Sequence, residues 1–263
     1  MGSSELVDTN VYLSRWPLSR LPHDDTAALA AKLRSAGVTQ AWAGSFDGLL
    51  HRDLASVNAR LAEECRRHGA GLLVPFGSIN PQLPDWEEDL RRCAEGERMP
   101  GIRLHPNYHG YTLDHPAVAR LLRLAAERGL LVQLVLVMED ERMMHPMLRA
   151  APTDPKPLAG LVRQTPGLRL MLLNAQRTLR GPALTSILGA GEVGVDLAML
   201  EGVGGVAALL AGGVPLERVL FGSFAPMFYF ESAVLKLQES VLSEPQLAAI
   251  RGRNARRLLA AGR

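Results

Sequence analysis

Residues 101 to 111 read Gly101-Ile102-Arg103-Leu104-His105-Pro106-Asn107-Tyr108-His109-Gly110-Tyr111. Ile102 to Leu104 reads as a short strand entered from Pro100-Gly101. Pro106 ends it, because proline has no N–H for a sheet ladder. Two histidines, an asparagine and two tyrosines then crowd into the next seven residues. These groups are expected on a loop just past a strand's C-terminal end, where parallel α/β proteins place their chemistry. Polar loop residues that converge in this way point to a site. The competing reading is a loop whose histidines merely satisfy hydrogen bonds.

Outward from this stretch, strand and helix signals alternate along the whole chain. Upstream, strands are predicted at Leu6 to Leu13, Val38 to Ala43 and Gly71 to Ile79. The helices between them are Asp24 to Ala36, Arg52 to His68 and Pro84 to Glu95. In the second, Leu54, Val57, Leu61 and Cys65 form one apolar stripe and Gly69 supplies the stop. Downstream, Pro116 to Arg128 is a helix with Asp114 as the expected N-cap. Leu130 to Val137 is apolar except for Gln133 and suits a strand buried on both faces. Leu158 to Gln164, Thr178 to Leu188 and Val203 to Ala211 are helices. The strands Leu168 to Leu173, Val193 to Met199 and Val219 to Gly222 complete the alternation. Tyr229 to Leu242 and Glu244 to Ala261 close the chain as helices. Eight strands alternating with helices through short Gly/Pro turns predict an α/β fold. Specifically, they predict a single (β/α)8 TIM barrel with an extra C-terminal helix, spanning residues 1–263 as one domain. The length of 263 residues fits such a barrel. A doubly wound open sheet is disfavoured, because no glycine-rich phosphate fingerprint follows an early strand.

Composition removes several function classes. A formal net charge of +2 gives no nucleic-acid footprint. Arg251, Arg253, Arg256 and Arg257 read as a solvated helix face. No apolar run reaches the length of a membrane span. Cys65 and Cys93 both fall in helical patterns, so no disulfide framework is expected and a reducing cytoplasm is the default. The expected partner is a small molecule, with no nucleic acid and no membrane, and a homo-oligomer is left open. Met1 to Ser4 is set aside from the reading.

Three motifs, taken in order, carry a family resemblance: Val7-Asp8-Thr9-Asn10-Val11-Tyr12, Gly222-Ser223-Phe224-Ala225-Pro226, and Asn254-Ala255-Arg256-Arg257-Leu258-Leu259. The chain resembles the amidohydrolase superfamily, in its branch of metal-dependent hydrolases and decarboxylases. The motifs look like that family's opening strand, its eighth-strand Gly-Ser-Asp-x-Pro and its closing Asn-Ala-x-x-Leu helix. The resemblance implies a barrel with a metal at its mouth, held by His-x-His on the first strand, histidines on the fifth and sixth, and the eighth-strand aspartate. Here those positions hold Asn10 and Tyr12, the apolar run near Val135, Asn174, and Phe224. Amide, phenol and apolar groups do not replace imidazole and carboxylate as ligands. No metal and no other cofactor is therefore expected, and the family's metal-activated water cannot be carried over.

What remains at the strand ends is polar. His105 or His109 beside Glu139 or Asp140 could form an acid/base pair, since imidazole titrates near neutrality and a carboxylate would orient it. Arg103 or Arg142 could clamp a substrate carboxylate. Asn10, Tyr12, Tyr108 and Asn174 would complete the binding surface. Each residue has a structural alternative: Glu139, Asp140 and Arg142 as a surface ion-pair group, Arg103 as a neutralised interior charge, Asn10 and Tyr12 as filler. The His-x-x-x-His spacing is read as lying on a loop, because of Pro106, and not on a helix. The expectation is a hydrolase-like protein without the usual metal, acting on a small carboxylate-bearing molecule by His/carboxylate chemistry. The alternative is a non-catalytic ligand-binding or scaffold protein.

Overall fold

The computed structural model describes residues 5–260. The expected reach of the last helix to Ala261 and the stretch Met1 to Ser4 lie outside the described residues. Eight strands form one sheet: Val7–Leu13 (β1), Gln40–Ser45 (β2), Leu73–Ser78 (β3), Gly101–Leu104 (β4), Leu131–Val135 (β5), Arg169–Leu173 (β6), Glu192–Asp196 (β7) and Val219–Leu220 (β8). They pair in parallel in chain order. The sheet closes on itself where Thr9 N–H donates to Phe221 O at 3.0 Å and Tyr12 N–H to Ala225 O at 2.9 Å. Phe224 N–H crosses the same seam to Asn10 O at 2.8 Å. The architecture is a TIM barrel. No described helix is long and apolar enough to cross a membrane.

The outer helices are Thr26–Ser35 (α1), Leu54–Gly69 (α2), Trp86–Arg91 (α3), Pro106–His109 (α4), Pro116–Glu127 (α5), Leu158–Gln164 (α6), Gly181–Leu188 (α7), Gly205–Ala211 (α8), Phe230–Gln238 (α9), Glu244–Ala248 (α10) and Asn254–Ala260 (α11). In α5, Val118, Leu121, Leu122 and Ala125 turn one stripe to the core, as 3.6-residue periodicity requires. Its N-cap is His115, not the expected Asp114: His115 Nδ1 accepts from Ala117 N–H at 3.2 Å, while Asp114 is taken by Thr112. The expected single closing helix is divided by a wider turn at Ala249–Arg253. Beyond that turn, Asn254 of the closing motif donates to Leu216 O and Val219 O, both at 2.8 Å, and so anchors β8.

The stretch after β4 is not an irregular loop. Pro106 opens α4 at a position where no N–H is needed, and Gly110, at φ 75°, closes it. Tyr108 and His109 N–H groups both donate to His105 O, at 3.1 and 3.0 Å. His105 and His109 therefore stand one helical turn apart, with ring centroids 5.8 Å from each other. The proline read as keeping the two histidines off a helix is the residue that starts one.

Candidate functional site

The sequence-expected residues at the strand ends fall into two tiers. The lower tier is sealed: Asn10, Tyr12, Arg103, His105, Asn174 and Asp196 are all 0% exposed. Arg103 points back into the barrel from β4. Its Nε donates to Gln133 Oε1 at 2.8 Å, Nη1 to Val11 O at 2.9 Å and Nη2 to Trp42 O at 3.0 Å. The guanidinium also lies 4.4 Å from the Tyr12 ring centroid. Gly44 makes room for it, since a Cβ there would sit 2.7 Å from Nη1. Arg103 is thus occupied inside the barrel and does not reach the mouth to clamp a carboxylate.

Above Arg103, Asn10 Nδ2 donates to Asn174 Oδ1 at 2.8 Å and to Asp196 Oδ2 at 2.6 Å. Asn174 N–H donates to Asp196 Oδ1 at 2.9 Å, and Asn174 Nδ2 to Val137 O at 2.8 Å. Burial pushes the carboxyl of Asp196 up to about 7 and that of Asp8 to about 6. On the other side of the barrel, the Tyr12 hydroxyl lies 2.9 Å from His105 Nε2, and its ring stacks on Phe46 at 4.7 Å. Phe224 meets the Tyr12 ring edge-on at 5.6 Å. Burial drives the His105 imidazole well below its ordinary range, with His109 and Arg103 adding to the effect. His109 is also depressed by burial, and its Nε2 lies 2.8 Å from Gly48 O. Neither histidine is hydrogen-bonded to Glu139 or Asp140.

The upper tier is open. The loop after β5 carries Glu139, Asp140 and Arg142, where Arg142, with its side chain 82% exposed, pairs with Asp140 at 2.5 Å. Arg177 pairs with the same carboxylate at 2.8 Å. Those two arginines hold Asp140 well below the usual carboxylate range. Glu139 is half-buried, burial raises its carboxyl, and its Oε2 has no partner. The Tyr108 hydroxyl is also without a partner, and the nearby Glu139 charge adds to the upward push of burial on it.

This loop walls a cavity of about 660 Å³ at the C-terminal end of the barrel, lined by Met138, Met143, Met144, Met199 and Met227 with Trp16 and Phe228. Thioethers and aromatic rings make an adaptable apolar lining. An adjoining pocket of about 460 Å³ shares Arg177, Met199, Met227 and Phe228 with it and ends at Lys236 of α9. Met138 separates the tiers: it lines the cavity, and its Sδ lies 3.5 Å from the Tyr12 hydroxyl. The sequence reading missed Lys236 and the methionine lining. The scarcity of lysine, three in the chain, was a signal for the first; nothing in the spacing of the methionines signalled the second.

The chain is a parallel barrel with polar residues gathered at its C-terminal strand ends, the end at which barrels of this kind carry their sites. The amidohydrolase family model matches residues 14–260, and the chain belongs to that family. No curated protein matches. Among solved structures, 5-carboxyvanillate decarboxylase from Sphingomonas paucimobilis superposes with a TM-score of 0.74 at 14% identity, covering 98% of this chain and 99% of that one. The 2,6-dihydroxybenzoate decarboxylase from Rhizobium gives 0.71 at 16% identity, covering 99% of each. The Metarhizium anisopliae IDCase gives 0.69 at 17%, covering 100% of this chain and 99% of that one. At these identities the likeness is one of fold.

The family resemblance implies a metal, and the residues at those strand ends do not fit one. Asn10 and Asn174 spend their side chains on each other, Asp196 and Val137. Tyr12, stacked on Phe46, and Phe224, edge-on to Tyr12, fill the space with rings. Among the described residues, no group of three or more His, Cys, Asp or Glu is placed to hold an ion. The donor set is amide and phenol where a divalent ion takes imidazole and carboxylate.

Proposed function

We propose that this chain is a ligand-holding member of the amidohydrolase family that works without the family's metal. Its ligand is a small, largely apolar molecule with a carboxylate or comparable anionic group, seated in the mouth cavity. The observation that supports this is a thioether- and ring-lined cavity over a sealed polar layer, with Lys236, which has no ion pair among the described residues, as the anchor on the wall of the adjoining pocket. Arg103 and Arg142, the sequence candidates for that anchor, are spent on barrel carbonyls and on Asp140. The names of the decarboxylases of like fold, acting on a carboxyvanillate and a dihydroxybenzoate, support the same ligand chemistry by analogy. Thermal unfolding with a panel of aromatic carboxylates and their neutral amides tests it. A ligand at a hundred times its dissociation constant adds about 2.7 kcal/mol, and each kcal/mol moves the midpoint by about 2–4 °C. The carboxylates should raise the midpoint, the amides should not, and Lys236→Met should abolish the rise. Equal shifts from the amides, no shift at all, or one tightly bound metal ion per purified chain would sink the reading.

A second reading is acid–base turnover by His105 or His109 with Glu139, Asp140 standing as the alternative carboxylate. It is favoured by one observation: His105 Nδ1, His109 Nδ1, Tyr108 Oη and Glu139 Oε2 are all buried without a hydrogen-bond partner. Its substrate would have to displace Met138 to reach His105. Turnover of any carboxylate in the panel that disappears in His105→Gln, with binding retained, would establish it.

A further inference from the structure

Basic residues in this chain are almost all arginine: lysine occurs only at Lys32, Lys156 and Lys236 among 29 lysines and arginines. Lys32 pairs with Glu231, and Lys156, 88% exposed in its side chain, pairs with Asp154 at 3.8 Å. Lys236 differs in its surroundings. It is half-buried on α9, lines the pocket of about 460 Å³, and makes no ion pair among the described residues. Its Nζ donates one hydrogen bond, to Ala198 O at 2.6 Å. In the fraction of Lys236 that has lost its proton, an amine held by one such donation keeps its lone pair unused. The apolar walls Met199, Met227 and Phe228 are the surroundings in which an ammonium gives up its proton.

We infer that Lys236 is a nucleophilic amine that forms an imine with an aldehyde or ketone ligand entering the pocket that adjoins the mouth cavity. The inference rests on the reading of the mouth as a ligand site. The Nζ lone pair attacks the carbonyl carbon, and the carbonyl π pair moves onto oxygen, which takes up the proton shed by nitrogen. The carbinolamine then loses that hydroxyl with one further proton as water, leaving C=N; no oxidant or reductant is needed. Burial depresses the Lys236 ammonium, while Asp196 and Glu201 oppose the shift. Arg177 lines the same pocket, and Glu201 is engaged by Arg177 and Arg180.

The test is reductive trapping of the whole chain with benzaldehyde and cyanoborohydride, mapped by peptide mass. Each pKa unit of depression gives about tenfold more free amine near neutrality. Lys236 should therefore label severalfold faster than Lys32 or Lys156, with a pH midpoint below the ordinary lysine range. Lys236→Arg should lose the adduct, because a guanidinium does not form the imine. Even labelling across the three lysines and the α-amino group would overturn the inference, and this result needs no variant. Selective labelling of Lys236 without any carboxylate shift would uphold the imine and remove the ligand class proposed above.

Discussion

Burying a guanidinium costs several kcal/mol unless its donors are met, and Arg103 meets them without touching a carboxylate. Two backbone carbonyls, an amide oxygen and the face of Tyr12 share its charge. Removing it leaves Val11 O, Trp42 O and Gln133 Oε1 facing a gap with no donor. Arg103→Met should cost about 2–4 kcal/mol in denaturant unfolding, since unpaired buried acceptors each carry a penalty of about 1–3 kcal/mol. It should leave carboxylate binding in place, the reverse of Lys236→Met. A loss of binding with stability intact would move Arg103 back to the mouth. Gly44→Ala should weaken the fold through the same contact, because its Cβ would meet the guanidinium at 2.7 Å.

At the scale of elements, the barrel was legible wherever a stripe or a continuous apolar run spoke for itself. The α5 stripe and the β5 run around Gln133 kept their predicted places. The α4 turn was illegible because Pro106 can either stop a strand or start a helix, and four residues are too few to show a period. The candidate site was legible only as a set of residues. Which strand-end side chains face solvent depends on loops folded over them, and no spacing within β1 or β4 encodes that cover. Lys236 escaped notice because it comes from a helix after the last strand. The cap of α5 offers a direct check. Aspartate is a better N-cap than histidine and faces the positive end of the helix. His115→Asp should therefore stabilise the chain by about 0.5–1 kcal/mol, seen as a rise in the thermal midpoint. A fall would mean that the ring packs as well as caps.

At the scale of the molecule, buried acids and buried imidazoles pull stability in opposite directions with pH. Asp196 and Asp8 titrate at about 7 and about 6 in the fold, against 3.8 ordinarily. Their contribution is fully present below the ordinary carboxylate range and is lost as pH rises through those values. His105 and His109 are depressed below 6.5, so theirs is present above that range and lost as pH falls. Between about pH 4 and 6.5 the two slopes oppose each other. Asp196→Asn should unmask the histidine slope, with unfolding free energy falling more steeply on acidification than in the unaltered chain; an unchanged slope would remove Asp196 from the account. Asn174 and Phe224 share one backbone feature. Both are fully buried non-glycine residues in left-handed backbone, at φ 56° and 61°. That conformation costs most side chains about 1–2 kcal/mol and suits aspartate and asparagine best. The resemblance sets an aspartate where Phe224 stands. A carboxylate placed at residue 224 would therefore meet a main chain already shaped to receive it.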